Sequence, residues 1–461
     1  MGKGTWRHKA KNKRRYEPPA QPTSVHDLPD DLLVRVLLGL GSPLHLVRAA
    51  ATCRRWRRAV ADTGFLTQFI SLHGAPSVAG HYYVTETLPP NSTDQRRRVP
   101  EMTTATFVPV SAAVVDVAHF SLDFFYVPPA NDGDRPRNMF QSASRRVRHS
   151  RSREIIDSRG SLLLLSNRPC SEGRYWSPDF IVCEPLTRRC QGIARPATLS
   201  FHGFLGGFLL DGNGGDHCDG AMSNFRVLSV LYEQDGSSGA PRACVFTPGS
   251  DGGWQLCWYP MDDCGGGDDD IELPTIDKIH LAGRAAGMIY WGVETGTVLV
   301  LDESTLIFSL LTFPEHMRWP YRATNFRVIG GGDDGVPVRI VRLDGQELEV
   351  YGQVSGSAGQ WVVEKRVRLR DAAAILPGWR DSFSAQPASI VTAGDTFVVL
   401  TRTEKRWLFT VDLETMEAER QHERNRHVGP AYPCTLPWPP VLRAGLHHDD
   451  TVGKRRQRRN S

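Results

Sequence analysis

Two hydrophobic rhythms divide this chain. From Val25 to Leu72 apolar residues return every three or four positions, the interval of an amphipathic helix. Within "LPDDLLVRVLLGL", Leu28, Leu32, Leu33, Val36, Leu37 and Leu40 mark a first helix. Pro29 suits its first turn, and Asp30 and Asp31 favour its positive end. Gly39 and Gly41 weaken and end it. Ser42-Pro43 then reads as a cap followed by a first-turn proline. Leu46, Ala49, Ala50, Cys53, Trp56 and Val60 form the stripe of a second helix, flanked by Arg54, Arg55, Arg57 and Arg58. Asp62-Thr63-Gly64 breaks the chain, and "FLTQFI" predicts a short third helix. A lone unit of about fifty residues is marginally stable. The apolar side chains of the first helix spread wider than one core face requires. That predicts a second buried surface, against either a partner or the rest of the chain.

From about His81 the period changes. Short runs rich in Val, Ile, Phe, Tyr and Leu alternate with clusters of Gly, Asp, Pro and Ser. Examples are "SLLLLS", "DFIVCEP", "FRVLSVLY", "ACVFTP", "MIYWGV", "TVLVLDE", "LIFSLLTF", "VRIVRL", "LEVYGQV", "WVVEKRV", "TFVVLTR" and "WLFTVDL". The clearest helical window among them is "RDAAAIL". There are too many strands for one sandwich of about a hundred residues. "GGWQLCWYP" and "GQWVVEKRV" each place a tryptophan at a strand start. "GMIYWGVETGTVLVLDESTLIFSLL" and "DTFVVLTRTEKRWLFTVDLETMEAE" each run strand, turn, strand ending in aspartate, then a turn containing threonine. Recurrence at roughly forty to sixty residues is the length of a four-stranded blade. The expectation is a six-bladed β-propeller, with paired β-sandwiches as the alternative. A propeller ring has no open edges when its first and last strands share a blade. "TFVVLTRTEKRWLFTVDLETM" is expected to share one with "ATFVPV" or "HYYVTE", which would put Val398, Leu400, Leu408 and Val411 at the closing seam.

The length of 461 residues accommodates one small unit and one large one. A net charge of +4 does not mark the whole chain as a nucleic-acid binder. The basic residues cluster in "KGTWRHKAKNKRRY", "RRVRHSRSR" and "KRRQRR". These read as solvated tails and a loop, with nuclear import or contact with polyanions as the functional alternative. The nine cysteines are scattered and odd in number, and the polar start lacks a secretory apolar core. A reducing compartment fits this usage. No apolar run approaches the ~18–20 residues that span a bilayer, and Trp6 stands where myristoylation requires Ser or Thr.

Motifs of catalysis are missing. Cys170, Cys183 and Cys190 are near in sequence but form no Cys-x-x-Cys pair. "DGNGGDHCDG" and "DDCGGGDDD" lack calcium-loop spacing and read as acidic surface loops. There is no His-Glu-x-x-His, no Gly-x-Ser-x-Gly elbow, no Walker loop and no dinucleotide fingerprint. No catalytic residue, metal or cofactor is therefore expected. "HMRWPYRATNFR" (316–327) interleaves aromatic and basic residues. Stacking on single-stranded nucleic acid is one use of such a run. Packing of Trp319 and Tyr321 between blades is the expected one, and nucleic acid is not expected as a partner.

"DLPDDLLVRVLLGL" followed by "RAAATCRRWRRAV" resembles the F-box. Leu28, Pro29, Asp31, Leu32, Leu33, Val36, Leu37, Cys53 and Trp56 match that family's pattern. Leu40-Gly41-Ser42-Pro43 departs from it, because the family commonly has Leu-Pro at the turn. "REIIDSRGSLLLL", "CEPLTRRC" and "IYW…VLVLD" resemble blades of the β-propeller region behind the F-box in many plant F-box proteins, and the arginine-rich run around Cys53 resembles grass members.

The resemblance implies a three-helix F-box at 25–72 and a propeller-like recognition domain at 80–440, and the basic ends at 1–24 and 441–461, which lack apolar residues to offset ordering entropy, are expected to be disordered tails. It implies that Leu28, Pro29, Leu32, Leu33, Val36 and Leu37 bind the Skp adaptor of a Skp–cullin–F-box ubiquitin ligase. Cys53 and Trp56 would hold the F-box core. The target protein and the residues that bind it are not named by the sequence. The expected role is a non-catalytic substrate receptor in the nucleus or cytoplasm, with no membrane partner. The alternatives are an F-box scaffold outside a ligase and a propeller enzyme with an F-box appendage.

Overall fold

The computed structural model describes residues 2, 28–41, 43–73, 78–85, 104–110, 117–122, 152–168, 179–196, 199, 202–211, 222, 224–249, 253–257, 273–331, 338–353, 360–379, 387–402, 407–420 and 427–436. The chain divides into two compact units, Met1–Gly74 and Ala75–Ser461. The tails expected at 1–24 and 441–461 lie outside the described residues, Gly2 apart.

The first unit is helical. Its helices are α1 (Asp30–Leu38), α2 (Pro43–Thr52), α3 (Arg54–Ala61) and α4 (Thr63–His73). The second predicted helix is thus two, because Cys53 is extended (φ −156°, ψ 163°). Its thiol accepts a hydrogen bond from the Trp56 backbone N–H at 3.5 Å, capping α3. Asp62 caps α4 in the same way, its Oδ1 accepting from the Phe65 N–H at 2.9 Å. Leu33, Leu37, Leu46, Val60, Phe65, Leu66 and Phe69 are buried and make the core. His73 Nε2 lies 2.7 Å from the Leu38 carbonyl, fastening the end of α4 to the end of α1.

The second unit is β-rich, and among the described residues its strands form six sheets. Blade 1 joins β1 (Val78–Thr85) and β2 (Thr104–Pro109) to a strand from the far end of the unit. Blade 2 holds β3 (Ser152–Arg159), β4 (Leu162–Arg168), β5 (Asp179–Glu184) and β6 (Arg189–Ile193). Blade 3 holds β7 (Gly203–Leu210), β8 (Arg226–Asp235), β9 (Ser238–Phe246) and β10 (Trp254–Cys257), with the short β11 (Leu273–Pro274) beside β9. Blade 4 is β12 (Ile279–Ala285), β13 (Met288–Val293), β14 (Thr297–Asp302) and β15 (Phe308–Thr312). Blade 5 is β16 (Phe326–Gly330), β17 (Val338–Asp344), β18 (Glu347–Gln353) and β19 (Trp361–Arg368), followed by the short helix α5 (Leu369–Ala374). Blade 6 is β20 (Ala388–Ala393), β21 (Phe397–Arg402), β22 (Trp407–Asp412) and β23 (Ala418–Arg420). The last strand, β24 (His427–Thr435), pairs with β1 and completes blade 1.

The innermost strands β24, β3, β7, β12, β16 and β20 touch one another in that order, and β20 returns to β24. This ring is a six-bladed β-propeller, not a pair of sandwiches. The closing seam differs from the one expected. Strands β21 and β22 already have β20 and β23 as neighbours, so they cannot take up an N-terminal strand. Val398, Leu400, Leu408 and Val411 are therefore interior residues of a complete blade. The seam is β1 between β2 and β24, with Tyr82 opposite both Phe107 and Tyr432. Residues 81–85 of "HYYVTE" and 105–109 of "ATFVPV" do lie in it. Thr435 N–H donates to the Gly160 carbonyl at 2.8 Å and ties the seam to blade 2.

Blades adhere through apolar clusters. Trp291 is fully buried between blades 3 and 4, its indole N–H donating to the Leu205 carbonyl at 3.1 Å and its ring edge-on to Phe208. Blades 5 and 6 close over Leu369, Val398, Leu400 and Phe409. Blades 4 and 5 approach closely at Gly283, where an added Cβ would fall 1.9 Å from the Val328 carbonyl oxygen. Gly283→Ala is predicted to destabilise the propeller by about 1–3 kcal/mol through overpacking. Urea unfolding checks it, as a lower midpoint at an unchanged slope.

The internal likeness in the sequence has a structural basis. Asp302 Oδ1 accepts from the N–H groups of Ser304 and Thr305, and Leu306 follows with φ 59°. Asp412 Oδ1 accepts from those of Glu414 and Thr415, and Met416 follows with φ 59°. Both are the same Asx-type turn between third and fourth strands. Trp254 and Trp361 each begin the outermost strand of a blade.

Candidate functional site

Four of the six residues expected to bind an adaptor divide sharply on α1. Leu33 and Leu37 point into the helical unit's own core and are buried. Leu32 and Val36 stand one turn apart on the neighbouring face, 41% and 52% exposed. Two adjacent exposed branched side chains on a short helix are an apolar strip that the unit's own core leaves uncovered. Leu28 is partly buried and Pro29 exposed at the entry to α1. Arg55 fixes this entry: it pairs with Asp30 at 2.7 Å and donates to the Leu28 carbonyl. Sequence reasoning saw Arg55 only as a flanking charge, since nothing in the spacing joins it to Asp30. Cys53 is a helix cap, and Trp56 is partly buried with an indole N–H that has no partner among the described residues.

Among the described residues of the propeller, polar side chains gather at several places, two of them at blades 2 to 4 and at the loop between blades 4 and 5. The first links the inner strands of blades 2, 3 and 4. Asp157 Oδ2 accepts from the Leu209 N–H at 2.6 Å and lies 3.1 Å from Arg284 Nη1. Arg284 also reaches Glu303 at 2.5 Å and the Leu209 carbonyl at 2.8 Å. Arg159 bridges Glu303 at 3.3 Å and Asp211 at 2.6 Å. Each of these carboxylates is engaged by a guanidinium, so the knot fastens three blades. These residues are far apart in sequence, and no motif announces them.

Burial pushes the Asp157 carboxyl up to about 6, although Arg284 opposes the shift. A carboxyl raised on folding stabilises most when protonated in both states, below about pH 4. That contribution is lost as pH rises through about 6. Wild-type stability, measured against Asp157→Asn, is predicted to fall by about 2–3 kcal/mol between pH 4 and pH 7. Parallel thermal melts across that range check it; a constant difference would remove Asp157 as the titrating group.

The second place is a cavity of about 170 Å³ between blade 5 and the loop that leads into it, lined by Trp319, Pro320, Arg322, Asn325, Arg342 and Asp344 among others. The loop carrying Trp319 joins the outermost strand of blade 4 to the innermost of blade 5, and Asp344 sits at the turn between β17 and β18. Antiparallel alternation puts these two connections on one face of the propeller. Of the aromatic pair singled out in "HMRWPYRATNFR", Tyr321 packs as expected. It is buried, stacked on Phe326 at 4.2 Å, and donates to the Met317 carbonyl at 2.6 Å. Trp319 does not pack between blades. It is 48% exposed and lies over the Arg342 guanidinium at 4.9 Å. Arg342 is buried beneath it, bonded to Asp344 at 2.9 Å, the Tyr351 hydroxyl at 3.3 Å and the His316 carbonyl at 3.2 Å.

No group of three His, Cys, Asp or Glu side chains that could hold a metal occurs among the described residues. Apart from Asp211, the acidic loops at 211–220 and 262–270 lie outside them. Among the described residues no helix is long and apolar enough to cross a membrane.

Comparison with known families agrees with this architecture. Residues 25–73 match the F-box-like family. Residues 267–442 match the family described as F-box protein AT5G49610-like, beta-propeller, which takes in blades 4 to 6 and the closing strand. The chain thus carries an F-box-like domain ahead of a β-propeller that matches the propeller of F-box proteins. No curated protein matches it. Among solved structures it is similar to the β-propeller domain of Cps50 (Swd1) from Myceliophteria thermophila, at 11% identity over 59% of this chain and 72% of that one, with a TM-score of 0.33. It is likewise similar to the Aleuria aurantia lectin, at 9% identity over 62% and 80% of the two chains, also with a TM-score of 0.33. Likeness at that level carries no functional argument.

Proposed function

We propose that this chain is the substrate-receptor subunit of a Skp–cullin–F-box ubiquitin ligase. One observation carries the reading: α1 of the F-box buries Leu33 and Leu37 and still presents Leu32 and Val36 to solvent. An adaptor protein would cover that strip together with Leu28 and Pro29, while Leu33 and Leu37 hold α1 in place from inside. F-box and propeller together are an architecture typical of non-catalytic receptors. The propeller would bind the target, and the partner ligase would supply the chemistry. The receptor's contribution is a raised local concentration of target lysines beside a charged conjugating enzyme. On this reading the protein works in the nucleus or cytoplasm of a plant cell. Size-exclusion chromatography of the full chain with purified Skp adaptor tests it: a stable complex at micromolar concentrations supports the reading, and separate elution at every concentration overturns it.

A further inference from the structure

We infer that the cavity beside Trp319 is a target-binding pocket of the propeller and that it takes a carboxylate side chain from an acidic peptide segment, an inference that rests on the receptor reading above. The shape sets the size of the occupant. About 170 Å³ accommodates one side chain, whereas small-molecule sites run to about 300–1,000 Å³. The wall is a half-exposed indole, and tryptophan and arginine are the residues on which binding energy at protein interfaces concentrates. Arg342 holds that indole from below and is itself locked by three hydrogen bonds, so the wall is in place before any ligand arrives.

The hydrogen-bonding capacity left over sets the chemistry. The lining carries two guanidiniums, Arg322 and Arg342, and one carboxylate, Asp344, while Glu294 pairs with Arg322 and Glu349 lies 3.7 Å from Arg342 outside the lining. Asp344 gives one oxygen to Arg342. Among the described residues Arg322 bonds through Nε alone, in an ion pair with Glu294 at 3.1 Å, which leaves both of its Nη groups uncommitted there. Asn325 spends its oxygen on the Arg322 N–H and one amide hydrogen on the Pro320 carbonyl. Donors therefore outnumber free acceptors, and the occupant must be rich in acceptors. A cationic side chain would meet two guanidiniums. A purely apolar one would cover the Arg322 donors without satisfying them, which costs more than it gains. A carboxylate satisfies them, and its methylene stem lies against the indole.

The experiment uses the full-length chain and arrayed short synthetic peptides, each carrying one Asp or Glu next to an apolar residue and each paired with its Asn or Gln counterpart. Peptides that bind are then measured by fluorescence anisotropy against wild type, Trp319→Ala, Trp319→Phe and Arg322→Ala, all with unchanged melting temperature. The acidic forms are expected to bind, with the amide forms at least about tenfold weaker. Trp319→Ala and Arg322→Ala should each lose at least about tenfold, and Trp319→Phe should retain most of the affinity. Equal binding of amide forms, unaltered affinity in both alanine variants, or no acidic peptide bound would overturn the inference. None of these outcomes involves the adaptor, so the receptor reading stands or falls separately on the complex with Skp.

Discussion

Leu32→Asp combined with Val36→Asp will abolish adaptor binding and leave the chain folded. Both side chains project from α1 into solvent, so the free protein tolerates carboxylates there, and its melting temperature should not move. In a complex the same positions would lie in an apolar contact. Burying an unpaired carboxylate costs on the order of 3 kcal/mol or more, about a hundredfold in Kd for each site. Leu33→Asp is the contrasting case. Leu33 is buried inside the helical unit, so the change should lower the unit's stability first and binding only as a consequence. Titration calorimetry alongside thermal melts separates the two. A double variant that binds like wild type would show that α1 is not the docking face.

Ending the chain after Arg420 will destroy the propeller even though blades 2 to 6 keep every strand. The lost strand, β24, is the innermost of blade 1 and touches both β3 and β20. Without it β1 has a bare inner edge, and Tyr82, fully buried in the intact chain, loses Tyr432 opposite it. Cys434 and Leu436, also buried, go with it. Two unpaired edges and an open strip of core favour aggregation over a stable five-bladed remnant. The expected product is insoluble or rapidly digested by protease, whereas a chain ending near residue 441 should behave like the full one. A monomeric, protease-resistant fragment from the shorter truncation would contradict a ring closed by β24.

Why that strand was hard to read from sequence is a matter of physics. "HVGPAYPCT" contains Pro430 and Pro433, which argue against a central strand. As the innermost strand of its blade, β24 pairs with one strand only, and an edge of that kind tolerates proline. The other inner strands hide for a related reason. They crowd the axis, so "GFLGGFLL" and "IHLAGRA" carry Gly206, Gly207 and Gly283 where bulkier residues would clash. In β3, β7, β12 and β20 a register shift also breaks the alternation along the strand. Middle strands such as "MIYWGV" and "TVLVLDE" are buried on both faces and read as continuous apolar runs. The repeated four-stranded blade and the Asp-turn likeness were therefore legible, while the number of blades stayed open between five and seven and the seam was not legible.

The candidate sites divide in the same way. The apolar excess on α1 is local, so the sequence disclosed it. Which side chains it contributes to the core and which to solvent depended on how α1 meets α3 and α4. Cys53 looked like one member of a helical stripe, and only its extended backbone reveals it as a cap. The Trp319 cavity needs Arg342 and Asp344 from a different strand and turn, a juxtaposition no local pattern encodes.

The central claim is that one end of the chain engages a ligase while the other holds a target. Affinity purification of the full chain from cells treated with a proteasome inhibitor, beside the Leu32→Asp, Val36→Asp variant, tests it most directly. The account predicts that wild type recovers the Skp adaptor, a cullin and one or more ubiquitin-modified proteins, and that the variant recovers the same targets without adaptor or cullin. Recovery of targets by wild type with neither adaptor nor cullin would contradict it.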